Sequence, residues 1–301
     1  MHPETRFSRL QLDEVAAGLH HHKNSKTDQM LTAVSNAGVT NLINLALRSG
    51  RSEPARFAYC SSVASVMAYS KGTSIPEQII DDPEAASPLG YSRSKWVAEQ
   101  ICSRANERSL LQGRIAIFRV GQLSGDTQHG IWNSSEAWPM MLSSVKISRA
   151  LPNLDKETLD WLPVDLAAMA LMQGIASVDG SGDGAHVLHV LNEHRRPTWP
   201  TMLQWLEKRY AFDIVDPPKW VARLEDMQER DGADHPAYKL LDHWKRAYAP
   251  ERRESEDRGS APTVLPFDMS RTKQSIAVLR DVSPVDEHYF AKIWDWIDTT
   301  M

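Results

Sequence analysis

Two periods of apolar residues alternate along this chain, and the changes between them mark out its elements. Over about 28–49, Leu31, Val34, Gly38, Leu42, Leu45 and Leu47 supply one apolar side and predict an amphipathic helix. A short apolar run at 56–61 then predicts a buried strand. It lies in Phe57-Ala58-Tyr59-Cys60-Ser61-Ser62 and ends in a serine pair. A loop with Gly72, Pro76 and Pro83 leads to Pro88-Leu89-Gly90, and a helix bearing Tyr91 and Lys95 is predicted to run to about Arg108. Arg114-Ile115-Ala116-Ile117-Phe118-Arg119-Val120 reads as a second buried strand, closed by Gly121. Strand, helix, strand in this order is the pattern of a parallel α/β sheet.

The second half is more helical. From Ser124 a Gly-, Asp-, Asn- and Ser-rich loop reaches Asn133, and a helix is expected from about Ser135. Leu159-Asp160-Trp161-Leu162-Pro163-Val164 leads into Asp165, read as the N-cap, with a site residue as the alternative, of a helix over 166–177 that is apolar nearly all round and therefore buried. The glycine-rich run 178–184 precedes a strand at 185–191 instead of following one, so it is a turn and not a phosphate loop. Residues 198–248 read as helical, with Trp199, Trp205, Trp220 and Trp244 as core anchors. A charged loop spans 249–261, and a last helix over about 286–299 carries Phe290, Ile293, Trp294 and Ile297 at helical spacing. The expected division is a lead-in at 1–27, an α/β domain at 28–178 and a smaller C-terminal part at 179–301.

The candidate chemistry centres on Tyr91-Ser92-Arg93-Ser94-Lys95. A Tyr and a Lys four apart share one helix face, one turn from each other. An ammonium so placed lets the phenol exchange a proton near neutral pH, which carbonyl reduction requires at the carbonyl oxygen. A serine hydroxyl at the end of the preceding strand can hold that oxygen by a hydrogen bond. Parallel sheets bind ligands beyond the carboxyl ends of their strands. Ser61-Ser62 and Gly121-Gln122-Leu123 both fall at such ends and point to one edge.

Composition narrows the classes. With 301 residues, 33.9 kDa, a formal charge of −5 and a pI near 6.1, the chain can bury a full core and has no electrostatic footprint for nucleic acid or an anionic membrane. Cys60 and Cys102 offer no disulfide framework, no apolar run is long enough to span a bilayer, and the first residues lack a secretory core, so the expectation is a soluble cytoplasmic protein. His20-His21-His22 has no carboxylate or cysteine cluster beside it and reads as a solvated stretch, not a metal site.

Taken in order, several segments resemble the extended short-chain dehydrogenase/reductases, and among them the thioester reductase domains of fungal nonribosomal peptide and polyketide synthetases and aminoadipate-reductase-like enzymes. They are Gly38 to Leu47, Ser61-Ser62, Tyr91 to Glu99, Arg119-Val120-Gly121-Gln122-Leu123-Ser124-Gly125-Asp126, Gly130-Ile131-Trp132-Asn133 and Trp161-Leu162-Pro163-Val164-Asp165. The resemblance implies a Rossmann-like doubly wound parallel sheet with a smaller, mostly helical C-terminal substrate subdomain. It implies Ser62 (Ser61 in the other register), Tyr91 and Lys95 as the catalytic set. Tyr91, Lys95, Gly121, Gln122 and Leu123 would lie along NADPH, and Trp132 and Asn133 would face the substrate arm. The implied substrate is an acyl thioester on a phosphopantetheinyl carrier protein, reduced to an aldehyde or an alcohol.

The sequence departs from that family in one large respect. No G-x-x-G-x-x-G or G-x-G-x-x-G occurs in the 301 residues, and only some 55 residues precede the strand that ends at Ser61-Ser62. The sheet is therefore expected to lack its N-terminal strands and glycine loop and to expose an apolar edge that favours association. Three readings stay open: an NADPH-dependent reductase, a redox-silent relative that binds a carrier or acyl intermediate or releases it by cyclisation, and an inactive fragment.

Overall fold

The computed structural model describes residues 26–49, 54–182, 184–231, 234–248 and 264–301. The triple histidine and the charged loop at 249–261 lie outside the described residues. The chain forms two compact units, neither continuous in sequence. The first comprises 1–122, 166–193 and 264–282, and the second 123–165, 194–263 and 283–301. The units thus do not follow a cut at 178/179, because the chain leaves the first unit after the strand that ends at Val120 and returns to it twice.

In the first unit, α1 (Lys26–Leu47), β1 (Phe57–Ser62), α2 (Gly90–Arg108) and β2 (Ile115–Val120) follow the expected order. β6 (His186–Val190) completes a three-stranded sheet of order β1-β2-β6, all parallel. Ser62 pairs with Val120 and Val120 with Val190, so the three carboxyl ends are level. Every residue of β2 from Ile115 to Arg119 is buried, as befits a central parallel strand covered on both faces. One face packs against α1 and α2 through Val39, Ile43, Trp96, Val97, Ile101 and Cys102. On the other face Phe118 meets Gly174 of α3 (Val164–Ala176), where a side chain on the helix would overlap the ring. The turn at 178–184 sits at the amino end of β6. A Cβ at Gly113, just before β2, would come within 2.6 Å of the Gly182 carbonyl, so this turn packs on the entrance to β2.

The second unit is built around tryptophan. Trp132, Trp161, Trp199, Trp220 and Trp244 are buried together with Phe290, Ile293, Trp294 and Ile297 of the last helix, Glu287–Thr300. Trp205 packs at the margin of this cluster. Two short parallel pairs, β3 (Leu123–Ser124) with β5 (Leu162–Pro163) and β4 (Ala150–Pro152) with β7 (Asp213–Val215), tie its segments together. β7 corrects the reading of 198–248 as helical throughout. It separates the helices Trp199–Glu207 and Pro217–Asp231, because its partner β4 lies some sixty residues upstream and leaves no local trace. The helix expected from Ser135 starts at Ala137, since the Asn133 side chain accepts from Ser135 N at 3.0 Å and holds a turn there.

Candidate active site

α2 and β1 position the tyrosine–lysine pair. Lys95 Nζ donates to the Cys60 carbonyl at 2.8 Å, which seats the first turns of α2 on the carboxyl half of β1. The same ammonium lies 5.6 Å from the Tyr91 ring centroid and 5.3 Å from that of Tyr59. The two phenols differ in setting. Burial, reinforced by Cys102 and Glu99, holds Tyr59 well above the ordinary tyrosine range and keeps its proton in place. Tyr91 is 54 % exposed and open to a substrate.

The serine pair divides just as clearly. Ser61 is buried and donates to Glu99 Oε1 at 2.5 Å, so its hydroxyl is committed to the interior. Ser62 is half-buried at the strand end, and its Oγ accepts from Ala64 N at 3.2 Å, capping the short 3-10 turn Val63–Ser65. That bond uses a lone pair and leaves the Ser62 proton available for donation. Ser62, Tyr91, Lys95, Gly121 and Gln122 all belong to the first unit. At Gly121 the chain runs so close to β6 that a Cβ would stand 2.8 Å from that of Leu191, so packing requires the glycine there.

Beneath this group lies a buried network with no role assigned to it in the sequence reading. Glu99 and Arg119 are 1 % and 0 % exposed, with Arg119 Nη2 2.7 Å and Nε 3.1–3.2 Å from the carboxylate. Ser65 Oγ donates to the same Oε1 at 2.6 Å. The remaining guanidinium donors reach the Pro76 and Gln78 carbonyls at 3.2 and 3.0 Å. Between them, Glu77 accepts from the backbone N–H groups of Arg271 and Thr272 and from the Thr272 hydroxyl. His189 joins through its Nε2, 3.4 Å from Arg119 Nη1, while its Nδ1 is 2.7 Å from the Asp268 carbonyl. Burial and the neighbouring guanidinium push this imidazole down to about 3, so it is neutral, donating from Nδ1 and accepting at Nε2. Two signals could have revealed the network. Glu99 is the third member of a Tyr91–Lys95–Glu99 series at four-residue steps, and Arg119 interrupts an otherwise apolar strand, where a charge must find a partner.

Leu123, Trp132 and Asn133 belong to the second unit. Trp132 does not present its indole outward. It is 4 % exposed, stacks edge-on to Trp161 at 4.9 Å and donates to Glu136 at 3.1 Å, because the tryptophan core recruits it. Asn133 is exposed, and Ile131 beside it is 54 % exposed. The loop that carries them is tightly held. Asp126 accepts from the N–H groups of Gln128, His129 and Ile131 at 2.8–2.9 Å. Asp165, expected as a helix N-cap, instead lies within the first turn of α3, because the helix begins at Val164. Its carboxylate accepts from the Thr127 hydroxyl at 2.6 Å and from Thr127 N at 3.2 Å. Tyr289 donates to the Gly125 carbonyl at 2.5 Å, and Lys292 to that of Thr127 at 2.7 Å.

Comparison with known proteins bears on the family and the fold. The NAD-binding family described as male sterility protein matches residues 14–171, slightly over half of the chain. The chain belongs to that family. The adenylate-forming reductase Nps11 of Serpula lacrymans is 29 % identical over 277 residues, covering 85 % of this chain and 24 % of its own length. Among solved structures, the terminal R domain of the myxalamid PKS-NRPS pathway aligns with a TM-score of 0.65 at 21 % identity, over 87 % of this chain and 62 % of that one. A thiolation–reductase di-domain from an archaeal non-ribosomal peptide synthetase aligns with a TM-score of 0.61 at 16 % identity, over 92 % and 55 %. The fold is thus the Rossmann-like fold of these reductase domains. This male sterility family member spans about a quarter of the Serpula relative and less than two thirds of the solved domains. Among the described residues no group of side chains has metal-ligand geometry, and no helix is long and apolar enough to cross a membrane.

Proposed function

We propose that this chain is the carbonyl-handling part of a reductase that uses NADPH to reduce an acyl thioester on a phosphopantetheinyl carrier protein to an aldehyde or an alcohol. One observation carries the reading: the bond from Lys95 Nζ to the Cys60 carbonyl mounts Tyr91 and Lys95 on the strand that ends in Ser62. In this reading the Tyr91 phenol gives its proton to the carbonyl oxygen as negative charge develops there, and the Ser62 hydroxyl donates a hydrogen bond to the same atom. Lys95 stabilises the resulting phenolate by its charge and grips the nicotinamide ribose. Gln122, Leu123 and the exposed Asn133 are the candidate contacts to cofactor and substrate. Family membership and the likeness to reductase domains support the reading, as does the pairing of such a domain with a thiolation domain in the archaeal protein.

The fit to the dinucleotide is partial. Tyr91 and Lys95 suit its nicotinamide ribose end, but no strand among the described residues opens through a glycine-rich turn into a helix, so none of these residues forms a cradle for the pyrophosphate. That mismatch favours a second reading, a redox-silent relative that binds the loaded carrier or releases its acyl group by cyclisation.

Titration of NADPH followed by its fluorescence, together with turnover of a pantetheine thioester, separates the two. The reductase reading expects saturable binding, and Tyr91→Phe should abolish turnover with an unchanged circular dichroism spectrum. A flat titration to millimolar cofactor with carrier binding retained selects the redox-silent reading.

A further inference from the structure

Three consecutive residues at the carboxyl end of β1 are tied to α2. Lys95 Nζ donates to the Cys60 carbonyl at 2.8 Å, and Ser61 Oγ donates to Glu99 Oε1 at 2.5 Å. The third tie, to Ser62, runs through Ser65, which is fully buried. Ser65 Oγ stands 2.8 Å from the Ser62 carbonyl oxygen and 2.6 Å from Glu99 Oε1. A serine has one proton, and both of these neighbours accept. The proton is therefore shared between them in a three-centre bond, since oxygens this close with no proton between them repel.

Glu99 does not depend on Ser65 for its partners, because Ser61 and the Nε and Nη2 groups of Arg119 already donate to its carboxylate. What Ser65 adds is a hold on Ser62. There the backbone is extended, with φ −140° and ψ 150°, and Oγ turns back to accept from Ala64 N at 3.2 Å. With its carbonyl clamped on one side and its Oγ engaged on the other, Ser62 keeps one arrangement, and its free proton is donated from a fixed oxygen. Tyr91 rides on the same helix as Glu99, about two turns earlier. The clamp therefore also sets the distance between the phenol and the Ser62 hydroxyl. Two groups that serve one reacting oxygen must be held to within about 0.5 Å.

We propose that Ser65 is a positioning residue for Ser62: it clamps the Ser62 carbonyl to the buried Glu99 carboxylate and so fixes the oxygen from which Ser62 donates. The clamp stands on the geometry, and only its service to carbonyl reduction rests on the reductase reading. Hydrogen exchange in the full 301-residue chain tests it. The Ala64 amide reports on Ser62 Oγ, its acceptor, and the β2 amides report global opening. Relative to β2, Ser65→Ala should speed exchange at Ala64 by about tenfold, toward the rate in Ser62→Ala, which lacks the acceptor altogether. Ser61→Ala takes a donor from the same Glu99 oxygen without touching the clamp, so exchange at Ala64 relative to β2 should stay as in the parent. With a pantetheine thioester and NADPH, Ser65→Ala should lower kcat by about tenfold and change KM by less than about twofold, because the Ser62 bond strengthens as charge develops on the oxygen. The proposal is overturned if Ala64 exchanges in Ser65→Ala as in the parent, or if Ser61→Ala speeds it equally, which would leave Ser65 a mere partner of Glu99. It is overturned equally if an active parent loses no kcat in Ser65→Ala. A parent without turnover removes the reductase reading, and the exchange comparison then decides the clamp by itself.

Discussion

Arg119→Met is the most informative perturbation of the buried network. The guanidinium is fully buried and spends its donors on Glu99, on the Pro76 and Gln78 carbonyls and toward His189. Methionine of similar length would leave Glu99 as a buried carboxylate with the Ser61 and Ser65 hydroxyls as its donors among the described residues, and two carbonyls deprived of a donor. Removing one partner of a buried pair costs about 3–5 kcal/mol, against a total stability of about 5–15 kcal/mol for a typical domain. Removing both charges should cost less, because no uncompensated charge remains. Arg119→Met should therefore lose about 3–5 kcal/mol, and Glu99→Leu with Arg119→Met should recover a substantial part of it. Urea unfolding followed by far-ultraviolet circular dichroism, with hydrogen exchange at β1 and β2, measures both. Lys208→Met is the control: its pair with Glu287 is nearly as short at 2.8 Å but 61 % and 50 % exposed, so about 0–1 kcal/mol is expected. A loss below about 1 kcal/mol for Arg119→Met, or a double variant as unstable as the sum of the singles, would refute the reasoning.

The two serines should separate stability from chemistry. Ser61→Ala removes a donor from the buried carboxylate and should lower stability by about 1–3 kcal/mol, whereas Ser62→Ala should lower turnover and cost only the cap of a short 3-10 turn, about 0.5–1 kcal/mol. Gly130→Ala should destabilise the second unit by more than about 2 kcal/mol in thermal unfolding, since φ is +68° and a Cβ would overlap the backbone of Lys292 and Ile293. Two buried groups should give opposite responses to pH. His189, held down to about 3, contributes stability that is present above its unfolded value near 6.5 and lost as the pH falls toward 3. Glu157, pushed up to about 7 by burial and by Asp160, contributes stability that is present below its unfolded value near 4.5 and lost as the pH rises through 7. Exchange profiles of the two units between pH 4 and 7 should therefore slope in opposite directions from these groups. Glu157→Gln should flatten the second unit's profile and His189→Gln the first's.

The alternation of strand and helix around Tyr91 and Lys95 was legible because it is local. Apolar runs, helical periods and the turn residues between them lie within a few dozen positions, so β1, α2, β2, β6 and the last helix fall close to where their patterns place them. That Ser61-Ser62 and Gly121-Gln122-Leu123 share one edge of the sheet follows from the same patterns, since parallel strands turn their carboxyl ends to the same side. What required the tertiary structure is what depends on distant partners. β7 exists because β4 pairs with it, and Trp132 turns inward because Trp161 lies across the core. Asp165 serves Thr127 instead of a helix terminus, and Ser61 and Ser62, adjacent and chemically identical, part company because only one of them meets Glu99. The open edge of β1 is the sharpest instance. Sequence pattern specifies which residues of a strand and helix are apolar, but a strand has two edges and a helix several faces. Only the packed structure shows that, among the described residues, no strand lies on the outer edge of β1 and Leu42 and Leu45 of α1 are exposed.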